Sequence, residues 1–187
     1  MKRMEEAIAA TEKALKNDPL SPAILTLVGN CYIQMGRWDE ALATLQKAVE
    51  LDSTYPSALF MLLSVNFKMG RLEESLRIGE DYLKHLGRHP FAVGSLGFIY
   101  ARSNRINEAK RMLQDLHEQA LNTHVPAAVF AMIYGGLEEI DKAFDILEKS
   151  VDDEPYAIMF TLHSIFFDPL RSHPRYKALL RKMNLEP

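Results

Sequence analysis

Hydrophobic positions recur along this chain with a short period of three to four residues and a long period of 34. Within segments such as Leu25, Val28 and Tyr32, apolar residues fall on one face of a predicted helix. The long period is carried by prolines and by small residues: Pro22, Pro56 and Pro90, and Ala7, Ala41, Ser75, Ala109 and Ala143. Such a period predicts stacked helix pairs, because each pair buries its apolar face only against a neighbouring pair.

The 34-residue register divides the chain into a leading segment, four full units and a closing segment. The units are 22–55, 56–89, 90–123 and 124–157, and each one predicts two antiparallel helices joined by a short turn. The turn positions are Gly36, Gly70, Asn104 and Glu138. Gly and Asn tolerate the left-handed conformation that ends a helix, so three of the four suit a tight turn and Glu138 departs.

Small residues in fixed columns predict where helices cross closely. The alanine column, with Gly29, Gly97 and Ala131, is expected at such crossings, because larger side chains would push the backbones apart. The second unit departs from the pattern, with Leu63 in the glycine column and Gly79 in the leucine column. Gly79 marks either a close contact or a local bend, and the sequence leaves both open.

The two ends differ from the four units. Residues 1–21 predict the second helix of a truncated leading repeat, whose orphaned face carries Ile8 and Leu15. Either the chain is a fragment of a longer protein, or this face pairs with another copy. Residues 158–187 predict capping helices that fold over the last repeat with these apolar side chains: Phe166, Phe167, Leu170, Tyr176, Leu179, Leu180 and Met183.

These columns resemble the tetratricopeptide repeat family over nearly the whole chain. The residues that carry the resemblance are Leu25, Val28, Gly29, Tyr32, Ala41, Leu45 and Ala48, and again Leu96, Gly97, Tyr100, Ala109 and Leu113. The resemblance implies an all-α fold, a right-handed solenoid of antiparallel helix pairs. The segment from Asp168 to Tyr176 with Leu179–Leu180 is similar to the ending of bacterial repeat regions joined to nucleotide cyclase, protein kinase or winged-helix domains. It implies part of a larger bacterial regulatory protein.

Composition narrows the classes of partner. A net charge of −3 with 25% charged residues provides no basic footprint, so nucleic acid is not an expected partner of this segment. No apolar run approaches the ~20 residues that span a bilayer, and the first 16 residues lack the apolar core of a signal peptide. A cytoplasmic location is the expectation. The single cysteine, Cys31, is interpreted as a buried structural thiol.

No pattern of catalytic or ligating residues emerges. Of the six histidines only His85 and His89 have an i, i+4 spacing, and Gly87 and Pro90 interrupt that helix. Phosphate-cradling and dinucleotide-binding motifs are absent from the sequence. We therefore expect no metal, no cofactor and no enzyme activity.

The family resemblance places the first helix of each pair on the inside of a groove, and this implies the candidate partner-binding residues. They are Thr26, Asn30, Gln34, Phe60, Ser64, Lys68, Phe91, Phe98, Arg102 and Met132. The apolar members favour an amphipathic helix or an extended apolar peptide of a partner protein, while Lys68 and Arg102 would select an acidic residue. The alternative is that the chain's own residues fill this face.

The resulting interpretation is a scaffold for protein–protein contacts that binds a peptide or helix of a partner in the concave groove. The alternative function is a self-association module that makes a homo-oligomer through the amino-terminal helix and so sets the oligomeric state of attached effector domains.

Overall fold

The computed structural model describes residues 2–185, apart from the side chains of 2–5, 7, 12 and 86. Every regular element within that range is helical. The helices are α1 Lys2–Asn17, α2 Pro22–Gln34, α3 Trp38–Leu51, α4 Pro56–Lys68, α5 Leu72–Leu86, α6 Pro90–Arg102, α7 Ile106–Ala120, α8 Ala127–Gly136, α9 Ile140–Ser150, α10 Pro155–Leu162, the 3-10 turn Ile165–Phe167, α11 Asp168–Arg171 and α12 Pro174–Lys182.

The helices group into two compact units. Unit 1 is Met1–Gly87 and contains α1 to α5, while unit 2 is Arg88–Pro187 and contains α6 to α12. Within each unit a first helix contacts its own second helix and also the next first helix, as in the pairs α2–α3 and α2–α4, and α6–α7 and α6–α8. The predicted all-α class is confirmed, with consecutive helices packed as antiparallel pairs.

Prolines and left-handed turn residues set the helix ends. Proline occupies the first turn of α2, α4, α6 and α10, where its missing N–H has no helical partner to lose. All four predicted turn residues have positive φ: Gly36 71°, Gly70 74°, Asn104 61° and Glu138 62°. Glu138 therefore adopts the same turn as the glycines although its Cβ makes that conformation unfavourable.

The repeated positions that hold small residues lie at close contacts between helices. Ala41, Ser75, Ala109 and Ala143 are all fully buried, and Ala7 lies outside the described side chains. Ser75 satisfies its hydroxyl by donating from Oγ to the carbonyl oxygen of Leu63 at 2.8 Å. A Cβ placed on Gly29 would lie 2.7 Å from Leu45 Cγ, a separation that real Cβ atoms do not show. The expectation that these columns mark close crossings is confirmed.

In the second repeat, a large and a small residue have exchanged places relative to the first repeat. The first repeat places Gly29 against Leu45, whereas the corresponding positions of the second repeat hold Leu63 and Gly79. Leu63 and Gly79 are both buried, and α5 runs unbroken through Gly79. By the register, the larger residue thus stands on the first helix and the glycine on the second, the reverse of the first repeat.

The C-terminal part of unit 2 is packed onto its repeats. Phe166, Phe167 and Leu170 are fully buried, and the Tyr176 hydroxyl donates to the carbonyl oxygen of Leu162 at 3.1 Å. Helix α12 contacts α9. The segment after α9 therefore completes the hydrophobic core of unit 2.

Arg175 joins α12 to α9 through a cluster of carboxylates. Its Nε and Nη2 donate to the two Glu148 carboxylate oxygens at 2.8 Å each, and Nη2 also donates to Asp145 Oδ1 at 2.7 Å. These hydrogen bonds lower the pKa of Glu148 and raise the pKa of Arg175, since each charged form stabilises the other. Arg175 also lies 5.3 Å from the Phe144 ring centroid, within cation–π range.

Candidate functional site

The candidate partner-binding residues of unit 1 divide into buried and accessible side chains. Thr26, Phe60 and Ser64 are buried, and both hydroxyls bond to their own helix: Thr26 Oγ1 donates to Pro22 O at 2.7 Å, and Ser64 Oγ donates to Phe60 O at 2.6 Å. Asn30 is half-buried, while Gln34 and Lys68 are exposed. The accessible side chains of this set in unit 1 are thus polar and lie in the second half of α2 and the last turn of α4.

Two apolar anchors that the sequence suggested in unit 2 are enclosed by the chain itself. Phe98 is buried beneath Phe166, with the two ring centroids 5.1 Å apart and the rings nearly perpendicular. Met132 on α8 is also fully buried. Phe60 of unit 1 is enclosed in the same way, so these three side chains are not accessible to a partner in this structure. The physical reason is that burying an apolar side chain against another segment of the same chain removes it from water, so such side chains on the first helices are buried where a segment lies over them.

Phe91 remains half-buried and joins an accessible aromatic surface. Its ring lies 6.1 Å from the His89 ring in a stacked arrangement and 5.8 Å from the Phe160 ring in an edge-to-face arrangement. Both geometries are favourable for aromatic pairs. The contact brings α6 together with α10, a helix that the sequence analysis did not include in the candidate site.

Helix α10 contributes the accessible apolar side chains that the sequence analysis missed. Tyr156 is 79% exposed and Phe160 47% exposed, and Met159 lies beside Phe160 with similar exposure. The opposite face of α10 buries Ile158, Thr161 and Leu162. One feature of the sequence could have indicated this helix: α10 has no charged residue. A helix at the protein surface normally has one polar face, so an uncharged helix is unusual there.

Arg102 lies at the other end of α6 in a shallow depression of unit 2. Its Nη1 donates to Glu138 Oε1 at 2.8 Å. The depression is lined by Ala101, Arg102, Asn104, Ile106, Gly136, Leu137 and Glu138. Arg102 therefore holds a carboxylate already, and the contact is exposed to water, where such a pair contributes little to stability.

The described part of the chain has neither a cluster of metal-ligating side chains nor a membrane-spanning helix. Across residues 2–185, His, Cys, Asp and Glu side chains form no group of three or more that could hold a metal ion. None of the helices in that range is both long enough and apolar enough to cross a bilayer.

Known proteins share this architecture. A family model described as tetratricopeptide repeat matches residues 1–64. No curated protein sequence has significant similarity to the chain. A tetratricopeptide repeat protein of Thermus thermophilus is 20% identical, with a TM-score of 0.65 over 96% of this chain and 92% of the other.

Two further solved structures extend the comparison. A tetratricopeptide repeat protein of Parabacteroides merdae is 18% identical, with a TM-score of 0.58 over 98% of this chain and 73% of the other. YrrB, a tetratricopeptide repeat protein with an unusual peptide-binding site, is 23% identical, with a TM-score of 0.53 over 87% of this chain and 83% of the other. At these identities the likeness concerns the fold. The family model thus matches about the first third of the chain, and the solved structures share the fold of most of it.

Proposed function

We propose that this chain is a protein-interaction scaffold that binds a peptide or helix of a partner protein and carries out no reaction. The observation that supports it is the accessible aromatic surface of unit 2, formed by Phe91 of α6 with Tyr156, Met159 and Phe160 of α10. Exposed aromatic and methionine side chains are the residue types that supply most of the binding energy in protein interfaces. The tetratricopeptide fold of YrrB, which has a peptide-binding site, is consistent with this role.

The chemistry of the surface defines the ligand. Because α10 has no charged side chain, the ligand segment must present apolar side chains to it, spaced as on one face of a helix or alternating in an extended peptide. Arg102 is exposed at the end of α6 in the same unit and would favour an acidic residue in a segment bound there, and Lys68 of α4 would do the same for a segment bound to unit 1. At Arg102 the acidic residue would replace Glu138, so it would orient the ligand more than tighten it.

The test is a selection from a phage-displayed library of random peptides long enough to form three to four helical turns. A selected peptide is then titrated calorimetrically against the parent chain and against the Phe160→Asp and Tyr156→Asp variants. We expect at least about tenfold weaker binding to both variants, since each places a carboxylate where an apolar side chain docks. The control is Leu121→Asp, which changes a leucine that is 82% exposed on another part of unit 2.

The outcomes separate cleanly. Peptides that lose affinity for Phe160→Asp and Tyr156→Asp, but bind Leu121→Asp as tightly as the parent, support the proposal. Equal affinity for all four proteins would refute the aromatic surface as the binding site. Circular dichroism at 222 nm verifies that each variant keeps its helices, so that a loss of binding is not a loss of folding.

The cations have a separate test. Arg102→Glu is expected to lower the affinity of acidic peptides that bind unit 2 a few-fold, and Lys68→Glu that of acidic peptides that bind unit 1. Both variants should leave peptides without an acidic residue unaffected. The effect should shrink as salt is added, because exposed charges are screened. If acidic and neutral peptides respond alike to both variants, the cations have no part in selecting the ligand.

We also propose that the scaffold belongs to a larger bacterial regulatory protein in the cytoplasm. This part of the proposal depends on the resemblance of the segment from Asp168 to Tyr176 to the ends of bacterial repeat regions. Sequencing the reading frame around this segment and fractionating the source cells are the two tests. An in-frame cyclase, kinase or winged-helix domain in the cytosolic fraction would support it, and a frame without an effector domain would contradict it.

Self-association is a second candidate function, and one observation favours it. Leu27 on α2 is exposed although the residues at its position in the following repeats are half-buried or buried. Sedimentation equilibrium of the full chain at several concentrations tests this candidate: a mass that stays at 21.3 kDa throughout would contradict self-association.

A further inference from the structure

The start of α8 differs from the starts of the preceding first helices. Proline begins α2, α4 and α6 at positions 22, 56 and 90, and the 34-residue register places the next start at His124. Helix α8 instead begins at Ala127, with Pro126 as its N-cap. Unlike proline, Ala127 has a backbone N–H, and the first N–H groups of a helix have no acceptor within that helix. Because Ala127 is buried, its N–H needs an acceptor from elsewhere in the protein.

The carboxylate of Glu154 is that acceptor. Its Oε2 accepts a hydrogen bond from the Ala127 N–H at 2.9 Å, although the two residues are 27 positions apart in the chain. The Glu154 side chain is 15% exposed, so the bond is largely shielded from water. A carboxylate at a helix N-terminus is favoured because the helix dipole is positive there, and a charged acceptor strengthens the bond. A residue from the turn after α9 therefore completes the start of α8.

The same residue defines the start of α10. Glu154 is the N-cap of α10, and its carbonyl oxygen accepts from the Ile158 N–H at 3.3 Å. Its own N–H donates to the carbonyl oxygen of Ser150, the last residue of α9, at 2.8 Å. Glu154 is thus bonded to α9 through its N–H, to α8 through its side chain and to α10 through its carbonyl group. Three helices of unit 2 meet at this residue.

The first turn of α10 lies outside the hydrophobic core. Pro155 and Tyr156 are exposed, and the buried side chains of α10 begin at Ile158. In the preceding turn Asp152 pairs with Lys182 of α12, but both side chains are exposed, so this pair contributes little. The shielded bond to α8 is therefore the contact best suited to hold the first turn in place.

We propose that Glu154 positions the aromatic surface of unit 2: its hydrogen bond to the N-terminus of α8 holds the first turn of α10, and with it Tyr156, in the orientation that a partner peptide meets. This inference rests on the proposed binding function of that surface and adds a residue that acts on the surface through Tyr156. Phe160 lies one turn further along and contacts Phe91 of α6. The bond at the start of the helix and this ring contact together set the direction of α10.

The expected effect depends on how much of the time the first turn has the binding orientation. An apparent dissociation constant rises in inverse proportion to the fraction of the protein in the competent state. With that orientation populated for about a tenth to a third of the time after the bond is lost, affinity falls about three- to tenfold. The helix content should stay the same, because the side chains of α10 from Ile158 onwards remain packed.

Two substitutions at Glu154 separate the hydrogen bond from the charge. Glu154→Gln removes the charge but keeps an amide oxygen at the same reach, so it can still accept from Ala127. Glu154→Asp keeps the charge but is one methylene group shorter, so it falls short of α8, while Asp remains a favoured N-cap for α10. The alternative is charge pairing with His124, whose Nε2 lies 3.8 Å from Glu154 Oε2, and it predicts that Gln, not Asp, is the damaging substitution.

The first test is calorimetric titration of a peptide selected against the parent chain. Full-length Glu154→Asp should bind it about three- to tenfold more weakly than the parent. Glu154→Gln should bind as the parent does, and so should Asp153→Ala, which removes an exposed carboxylate from the neighbouring position. Parent-like binding by Glu154→Asp, or a larger loss in Glu154→Gln or Asp153→Ala, would overturn the proposal.

A second measurement needs no peptide and separates this inference from the proposed function. NMR of chain labelled at the methionine methyl groups follows Met159, an exposed neighbour of Phe160, with the fully buried Met132 of α8 as the reference. Glu154→Asp should shift the Met159 resonance and speed hydrogen exchange of the Ala127 amide, and Glu154→Gln should do neither. If both signals of Glu154→Asp match the parent, the positioning role is refuted. If both change but the surface binds no peptide, the positioning role is supported and the proposed function alone is refuted.

Discussion

Gly94 offers the sharpest test of the close approach between first helices. In α6 it faces α8, where an added Cβ would lie 2.9 Å from Val129 Cβ and 3.1 Å from the Val129 carbonyl oxygen. The obstacle includes the backbone, which cannot rotate away as a flexible side chain can. Gly94→Ala therefore sets a gain in helix propensity against a steric cost.

The two effects have comparable size but opposite sign. Replacing glycine by alanine inside a helix stabilises by about 1 kcal/mol where there is space. Overpacking a buried contact costs about 1 to 3 kcal/mol. We expect Gly94→Ala to lower stability by about 1 kcal/mol, because Val129 is fully buried and α8 has little freedom to move.

Gly135 provides the matched control in the same unit. It is a buried helical glycine of α8, but an added Cβ would find its nearest neighbour, Leu170 Cδ2, at 3.6 Å. That is an ordinary van der Waals contact, so Gly135→Ala should stabilise by up to about 1 kcal/mol. The two substitutions are chemically identical and differ in the space available to the new methyl group.

The assay is urea and thermal unfolding of the full chain, followed by circular dichroism at 222 nm. Repeat proteins can unfold in more than one step, so transition midpoints are compared rather than extrapolated free energies. The Gly94→Ala midpoint should fall below that of the parent, and the Gly135→Ala midpoint should equal or exceed it. A Gly94→Ala variant as stable as Gly135→Ala would refute the reasoning.

Three further predictions concern single side chains. Glu138→Gly should raise the thermal midpoint by relieving a left-handed conformation that costs roughly 1 kcal/mol, and an unchanged midpoint would show that the turn is not strained. Arg175→Gln should destabilise unit 2 by about 1 kcal/mol at pH 7, allowing for its partial exposure. Because the pKa of Glu148 is lowered in the folded state, this difference should vanish as acid protonates Glu148, and a difference that persists at pH 2 would contradict the charge pairing. Burial raises the pKa of Tyr82 to about 12, so the free energy of unfolding of the parent should fall by roughly 2 kcal/mol between pH 10 and 12, because the unfolded chain loses the phenolic proton first. Tyr82→Phe should lose less over that range, and parallel urea midpoints of the two proteins would refute this prediction.

Much of the helix framework could be predicted from the chain because the interactions that define it are local. Pro22, Pro56 and Pro90 each begin a helix. The turn positions also followed from the register, and Glu138, which departs from the Gly and Asn residue types of the pattern, adopts the same left-handed conformation as Gly36. The packing of the two helices that flank Glu138 outweighs the conformational cost of a left-handed non-glycine residue, since this pair packs in the same way as the other pairs.

Side-chain accessibility was harder to predict because it depends on residues far away in sequence. Phe98 carries the same helical signal as Phe91, yet Phe98 is buried beneath Phe166 while Phe91 stays half-exposed. A hydrophobic period indicates which residues share a face, but not whether another segment covers that face. A helix without charged residues is typically buried on all sides, yet Tyr156 of α10 is largely exposed.

The 34-residue period was sufficient to identify paired helices, their turns and the small residues at their crossings, because each of these depends on residues within one repeat or its neighbour. Which side chains remain available for binding depended on the folded chain, where burial is a property of the whole arrangement. The open position at Leu27 illustrates the division: its column could be read along the chain, but its exposure appears only once α1 is placed against α2.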